Sequence, residues 1–274
     1  MILAIWGPEK SWKTTMALTF PRPLVHFDLD VGGFDRAIWR IDDTSGIESK
    51  PYPTPIQIEK LLGQTKDGVS IRFPKKIFGI KEVWQQIVVD FVNAATREDV
   101  KSIVVDSATQ LWSICHRGYL QEVQERQVYK FLHDSNGVRI RGREEDEFPP
   151  NEFRERLRSL EYGDPNERMR SLIYCARSYR KHLVLTHYPR DVYAEKPTDR
   201  GIESYKTGDI EPDGFRDTQK LADIVIWTGV DSSGQGQAKI TRCGLEGLGT
   251  TAVGLTVDPS YEGIIRLRES MKGE

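Results

Sequence analysis

Ile2-Leu3-Ala4-Ile5-Trp6 is an unbroken apolar run closed by Gly7-Pro8, which predicts a short buried strand. Leu24-Val25-His26-Phe27 has the same form, as do the centres of Lys101–Ser107 and His182–His187. Between these runs the apolar positions recur at helical spacing. Met16 to Phe20 forms a short helical pattern. Trp84, Ile87, Val88, Phe91, Val92 and Ala95 form a second, and Ala108, Leu111, Trp112, Cys115, Tyr119, Leu120 and Val123 a third that reaches about His133. Asn151 to Leu160 and Pro165 to Lys181 also read as helices, the latter with Met169, Leu172, Ile173 and Ala176 inward. Leu221–Trp227, Ala238–Cys243 and Glu262–Leu267 read as strands, with a turn from Val230 to Gly236, and predict a C-terminal β-hairpin region. Alternating strands and helices predict an α/β fold with a mainly parallel central sheet flanked by helices.

Three stretches depart from this alternation. Residues 42–80 carry Pro51, Pro53, Pro55, Gly63, Gly68, Pro74 and Gly79, the composition of a hairpin or irregular excursion. Residues 134–150 set Arg139, Arg141 and Arg143 directly against Glu144, Glu145, Asp146 and Glu147, and read as a mobile, self-neutralising loop. Residues 188–215 read as a second mobile polar loop, in which Arg190, Lys196, Arg200 and Lys206 alternate with Tyr193 and Tyr205. Cations follow phosphates while rings stack on bases, so this loop suits single-stranded nucleic acid; an exposed loop or substrate lid is the alternative.

Composition narrows the setting. A chain of 274 residues with this alternation reads as a single domain over 1–274. A formal charge of −2 excludes a globally basic protein, so nucleic-acid contact would come from local patches. Cys115, Cys175 and Cys243 are odd in number and widely spaced, which fits buried reduced thiols. With no apolar run of membrane-spanning length, a cytoplasmic location is expected.

The chemistry concentrates at strand ends. Gly7-Pro8-Glu9-Lys10-Ser11-Trp12-Lys13-Thr14-Thr15 links the first strand to the first helix, as a phosphate-binding loop does. Backbone N–H groups would face an anion, Lys13 would reach the β/γ-phosphates of ATP, and Thr14 would hold Mg²⁺. The expected G-x-x-x-x-G-K-[ST] pattern is broken by Trp12, where the second glycine should stand. Asp28-Leu29-Asp30-Val31-Gly32-Gly33 follows the second strand, and Val104-Val105-Asp106-Ser107 has the form of a Walker B element whose acid holds Mg²⁺. Thr186-His187 closes a further strand and places a polar group where a γ-phosphate or attacking water would be sensed.

In this order the elements resemble the RecA-like P-loop ATPases, and most closely an AAA-type family of phage nucleotide-binding proteins linked to single-strand annealing. Gly7-Pro8-Glu9-x-Ser11-x-Lys13-Thr14-Thr15 is similar to the RecA-type G-P-E-x-S-G-K-T-T. The landmarks span roughly residues 1 to 230 as short islands. The resemblance implies a RecA-like P-loop NTPase fold and makes Asp30 the base that activates water, beside Lys13 and His187. It also implies action on single-stranded DNA in phage recombination, replication or repair, homo-oligomerisation, and contact with single-strand-binding or other recombination proteins. It places the protein in the cytoplasm of an infected bacterial host. Two other readings remain open: a nucleotide-binding scaffold or regulator with little hydrolysis because of Trp12, and a small-molecule kinase with 188–215 as its lid.

Overall fold

The four apolar runs are buried along almost their whole length, because each lies inside one sheet with both faces covered. The computed structural model describes residues 1–30, 32–55, 65–66, 69–70, 76–198, 201–245 and 249–272. Val31, Gly63, Gly68, Pro74 and Arg200, named above, lie outside the described residues.

The sheet strands are β1 (Ile2–Trp6), β2 (Leu24–Asp28) and β3 (Ile47–Pro51), then β6 (Ser102–Asp106), β7 (His182–His187), β10 (Ile224–Val230), β11 (Gly236–Cys243) and β12 (Thr256–Val257). Two-residue strands β4 (Thr65–Lys66) and β5 (Val69–Ser70) pair separately, as do β8 (Pro189–Thr198) and β9 (Gly201–Pro212). The order in the eight-stranded sheet is β12-β11-β10-β1-β7-β6-β2-β3. From β10 to β3 all pairings are parallel, and β11 and β12 add antiparallel strands at one edge. The described α-helices are α1 (Lys13–Ala17), α2 (Gly33–Ala37), α3 (Ile80–Thr96), α4 (Ala108–Leu132), α5 (Gly163–Ser178), α6 (Thr218–Leu221) and α7 (Tyr261–Lys272). None of the described helices is long and apolar enough to cross a membrane.

The chain divides into two compact units. One comprises Met1–Tyr52, Asp90–Trp112 and Arg170–Glu274. It contains the eight-stranded sheet and a core in which Leu3, Ile5, Met16, Leu18, Phe20, Val104, Val184, Ile226 and Ile264 pack together. Parallel register aligns the strand ends: Asp28 pairs with Asp106, Ile5 with Thr186, and Trp6 with His187. In the other unit, Pro53–Val89 and Ser113–Met169, Tyr119, Leu120, Val123 and Leu157 form one apolar cluster. There Gln121 Oε1 accepts from the backbone N–H groups of Ile80 and Lys81, each at 3.0 Å, which satisfies two orphan donors at the start of α3.

Three local expectations are corrected. Residues 188–215 are no loop, since most of them form the β8–β9 ribbon. Several of its charges are paired, with Lys206 on Asp191 at 2.6 Å and Arg190 on Glu211 at 2.6 Å; this hid the alternation that a half-buried strand would display. Glu262–Leu267 is helical, within α7, where Tyr261, Ile264, Leu267 and Met271 face the core and Ser260 Oγ accepts from the Gly263 N–H at 3.0 Å. Asn151–Leu160 is no α-helix: only short 3₁₀ turns stand at Pro150–Glu152 and Ser159–Tyr162. The buried pair Phe153 and Leu157 imitates helical spacing, while Gln127 and Gln124 take the carbonyls of Glu152 and Arg154 that a helix would have used. In 134–150 Arg139 lies on Glu144 at 3.1 Å, while Glu145 pairs outside the segment with Lys76 at 2.5 Å.

Candidate nucleotide site

The segment between β1 and α1 wraps a cavity of about 480 Å³, a volume suited to a nucleotide. Glu9, Lys10, Ser11, Trp12, Lys13, Thr14 and Thr15 supply one wall; Asp30, Gly33, Arg36, Ala37, Arg40, Asp106 and Tyr188 supply the rest.

Gly7 opens the loop because nothing larger fits. A Cβ there would stand 2.2 Å from the backbone oxygen of Thr228 on β10. Ser11 Oγ and Thr228 Oγ1 share a buried hydrogen bond of 2.9 Å, so β10 holds the loop at two points. Lys13 is buried and folds back, donating to the carbonyls of Gly7 at 2.8 Å and Pro8 at 2.5 Å. Its ammonium also lies 5.1 Å from the centre of the Tyr188 ring. Burial lowers its pKa, and the negative charges of Asp106, Asp30 and Glu9 work against that.

Trp12 adopts a backbone conformation that favours glycine. Its φ of 70° and ψ of 11° lie in the left-handed region, as does Lys10 at φ 60°. For a side chain of this size that conformation costs about 1–2 kcal/mol. Room for the indole comes from Gly236, where a Cβ would meet Trp12 Cγ at 2.6 Å, and the Arg40 guanidinium lies over the ring at 4.6 Å from its centre.

The acidic strand ends converge on the loop. Thr14 Oγ1 donates to Asp106 Oδ2 at 2.6 Å, and Thr186 Oγ1 donates to Asp106 Oδ1. His26 Nε2 stands 3.7 Å from the same carboxylate. Burial opposes ionisation of Asp106; His26 and the two hydroxyls outweigh it, and the carboxyl is held below its usual range. Asp28, its neighbour in register, accepts from the Gly32 N–H at 3.1 Å. Asp30 accepts from Tyr188 Oη at 2.5 Å on one oxygen and from Ser107 Oγ at 3.1 Å on the other. Burial raises the Asp30 carboxyl above its usual range despite these donors. Burial and the bond to Asp30 push the Tyr188 phenol up in turn.

Residues 1–135 match the family model of an AAA domain. The match covers just under half of the chain and takes in the loop, Asp30 and Asp106. It supports a P-loop ATPase of the AAA type, and with it nucleotide binding. A search of curated proteins finds no match to the chain. Thr186, Tyr188, Thr228 and Gly236 lie beyond the matched AAA stretch.

Among the residues singled out from the sequence, the nine from Gly7 to Thr15 come together with Asp30 and Asp106. His187 does not line the cavity. It is buried, its Nδ1 is 2.8 Å from the Asp213 carbonyl, and burial lowers its pKa to about 4, so the neutral ring donates there. Its strand neighbour Thr186 makes the contact with Asp106. On the ribbon, Tyr193 and Lys196 are exposed, while Arg190 and Lys206 are engaged by carboxylates. Arg36 and Arg40 were missed; they follow an acidic strand end, but no local pattern marks them as wall residues. Tyr188 was read as the start of a loop, and no local pattern marks Thr228 or Gly236.

Proposed function

We propose that this chain binds ATP with Mg²⁺ in the loop cavity and hydrolyses it in the manner of the RecA-like ATPases. The observation that carries the reading is the 2.6 Å bond between Thr14 and Asp106, which joins the loop to a strand end 92 residues away, beside Lys13. A hydroxyl and a carboxylate are hard oxygen donors that fit Mg²⁺, which uses few protein ligands and takes the rest from phosphates and water. Among the described residues no group of three or more His, Cys, Asp or Glu could hold a metal, consistent with an ion that arrives with its nucleotide. Bound there, Mg²⁺ would neutralise phosphate charge.

The chain's own groups account for the remaining work. Lys13 exchanges its two loop carbonyls for phosphate oxygens, and the rigid loop holds the phosphates in place. Each Asp30 oxygen already accepts one hydrogen bond and retains a lone pair, so a water can donate to it and lose its proton there. The elevated pKa of Asp30 suits a general base. The order β1-β7-β6 also sets Thr186 between the loop strand and the Asp106 strand, an arrangement that favours the RecA-like reading.

Single-stranded DNA is the second part of the proposal, and phage recombination, replication or repair its setting. The ribbon would meet the strand through Tyr193 for stacking and Lys196 for phosphates. The discriminating experiment measures ATP binding and phosphate release for the parent and Lys13→Ala, with and without single-stranded DNA. Binding and turnover lost in Lys13→Ala, with stimulation by DNA in the parent, is the expected result. Equal binding and turnover in Lys13→Ala overturns the site. Turnover indifferent to DNA overturns the second part. Binding without turnover points to a scaffold, and turnover only with an added acceptor to a kinase.

A further inference from the structure

To reach phosphate oxygens Lys13 must give up its bonds to the carbonyls of Gly7 and Pro8. Helix α1 is five residues long and brings little dipole to the phosphates. Further positive charge in the cavity wall comes from Lys10, Arg36 and Arg40, set against Glu9, Asp30 and Asp106. Arg36 and Arg40 are exposed, and among the described residues neither has a carboxylate partner.

Arg40 differs from Arg36 in being held. Its guanidinium carbon lies 4.6 Å from the centre of the Trp12 ring. Contact with an aromatic face uses the π surface of a guanidinium and leaves its five N–H donors, which radiate in the plane, for oxyanions. Trp12 is itself fixed, its backbone by the left-handed turn and its ring by the space at Gly236. The cost of a non-glycine residue at this turn is thereby tied to a specific product, an arginine set against the phosphate loop.

We propose that Trp12 is the platform that positions Arg40 as a cation from the same chain for the terminal phosphates of the bound nucleotide. The proposal rests on the nucleotide reading above and gives the motif-breaking residue a task of its own.

The test is competition by ATP and by AMP against a fluorescent ATP analogue, on the full chain. The variants are Arg40→Ala, Trp12→Phe, Trp12→Gly, the double Trp12→Gly/Arg40→Ala, and Lys13→Ala. Circular dichroism checks that each is folded. Arg40→Ala should weaken ATP roughly tenfold and leave AMP within about twofold, since only the terminal phosphates lose a charged partner. Trp12→Phe should keep most of the affinity. Trp12→Gly should lose ATP-over-AMP discrimination as Arg40→Ala does, and the double variant should be no weaker than either single one, because both remove one arm. The proposal is overturned if Arg40→Ala binds ATP like the parent, if ATP and AMP weaken by the same factor, or if the two losses multiply. Lys13→Ala separates the two levels. If it abolishes binding while Arg40→Ala changes nothing, the site stands and the platform falls. If it binds like the parent, the nucleotide reading itself falls.

Discussion

The ring of Trp12 fills the space that a side chain on Gly236 would need, at 2.6 Å from a Cβ built there. Residues 224 positions apart in sequence therefore constrain each other's size: an indole in the phosphate loop requires a glycine at the start of β11. Gly236→Ala should destabilise the fold by about 1–3 kcal/mol through overpacking. Trp12→Gly in the same molecule should restore most of that loss, and relief of the left-handed strain should add to the gain. Chemical denaturation of the two single variants and the double one gives the coupling. Purely additive effects would show that the ring and the glycine do not share this space.

Asp30→Asn should retain ATP binding and lose about 10²–10⁴-fold in turnover, the usual contribution of a general base. Single-turnover hydrolysis beside equilibrium binding separates the two. Turnover near that of the parent would remove Asp30 from the chemistry.

Tyr188→Phe removes a hydrogen bond that lowers the pKa of Asp30. The carboxyl should then titrate still higher, so the acid limb of the pH–rate profile moves to higher pH. An acid limb that stays in place, or moves to lower pH, contradicts the assignment of that limb to Asp30.

If Thr14, which bonds Asp106, holds the ion as proposed, Thr14→Val should weaken ATP binding mainly in the presence of Mg²⁺, with Lys13 left intact. Titrations with Mg²⁺ and with EDTA make the comparison. An equal loss in both would assign Thr14 a structural part only.

His187 links stability to pH. Its folded pKa of about 4 lies below the value of about 6.5 in an unfolded chain. The unfolded state thus binds more protons in this window, and the contribution is complete above pH 6.5 and lost as pH falls towards 4. The shift corresponds to roughly 3 kcal/mol. His182, also lowered to about 4, by burial and the nearby N-terminal ammonium, titrates in the same range. His187→Gln should therefore reduce the slope of stability against pH between 4 and 6.5 without abolishing it. An unchanged slope would exclude His187 as a contributor.

Local patterns fared unevenly in this chain, for physical reasons. Ile2–Trp6 and Ser102–Asp106 were legible because the centre of a strand buried on both faces reads as an apolar run. The ribbon was not, because both of its faces carry charges paired across strands. Asn151–Leu160 misled because two buried side chains can share helical spacing when side-chain amides, rather than a helix, satisfy the backbone.

The sequence by itself determined the loop, Lys13 and Thr14 within it, and the acids at the ends of two strands, since each is written in contiguous residues whose burial or turn chemistry is local. Only the tertiary structure decided that Tyr188 caps Asp30, that Thr186 rather than His187 reaches Asp106, and that Arg40 lies on Trp12. The reason is that these contacts depend on the order and register in which distant strands pair. Trp12 is the clearest case. As a letter it contradicts the motif, and its acceptance is explained by a missing side chain at Gly236.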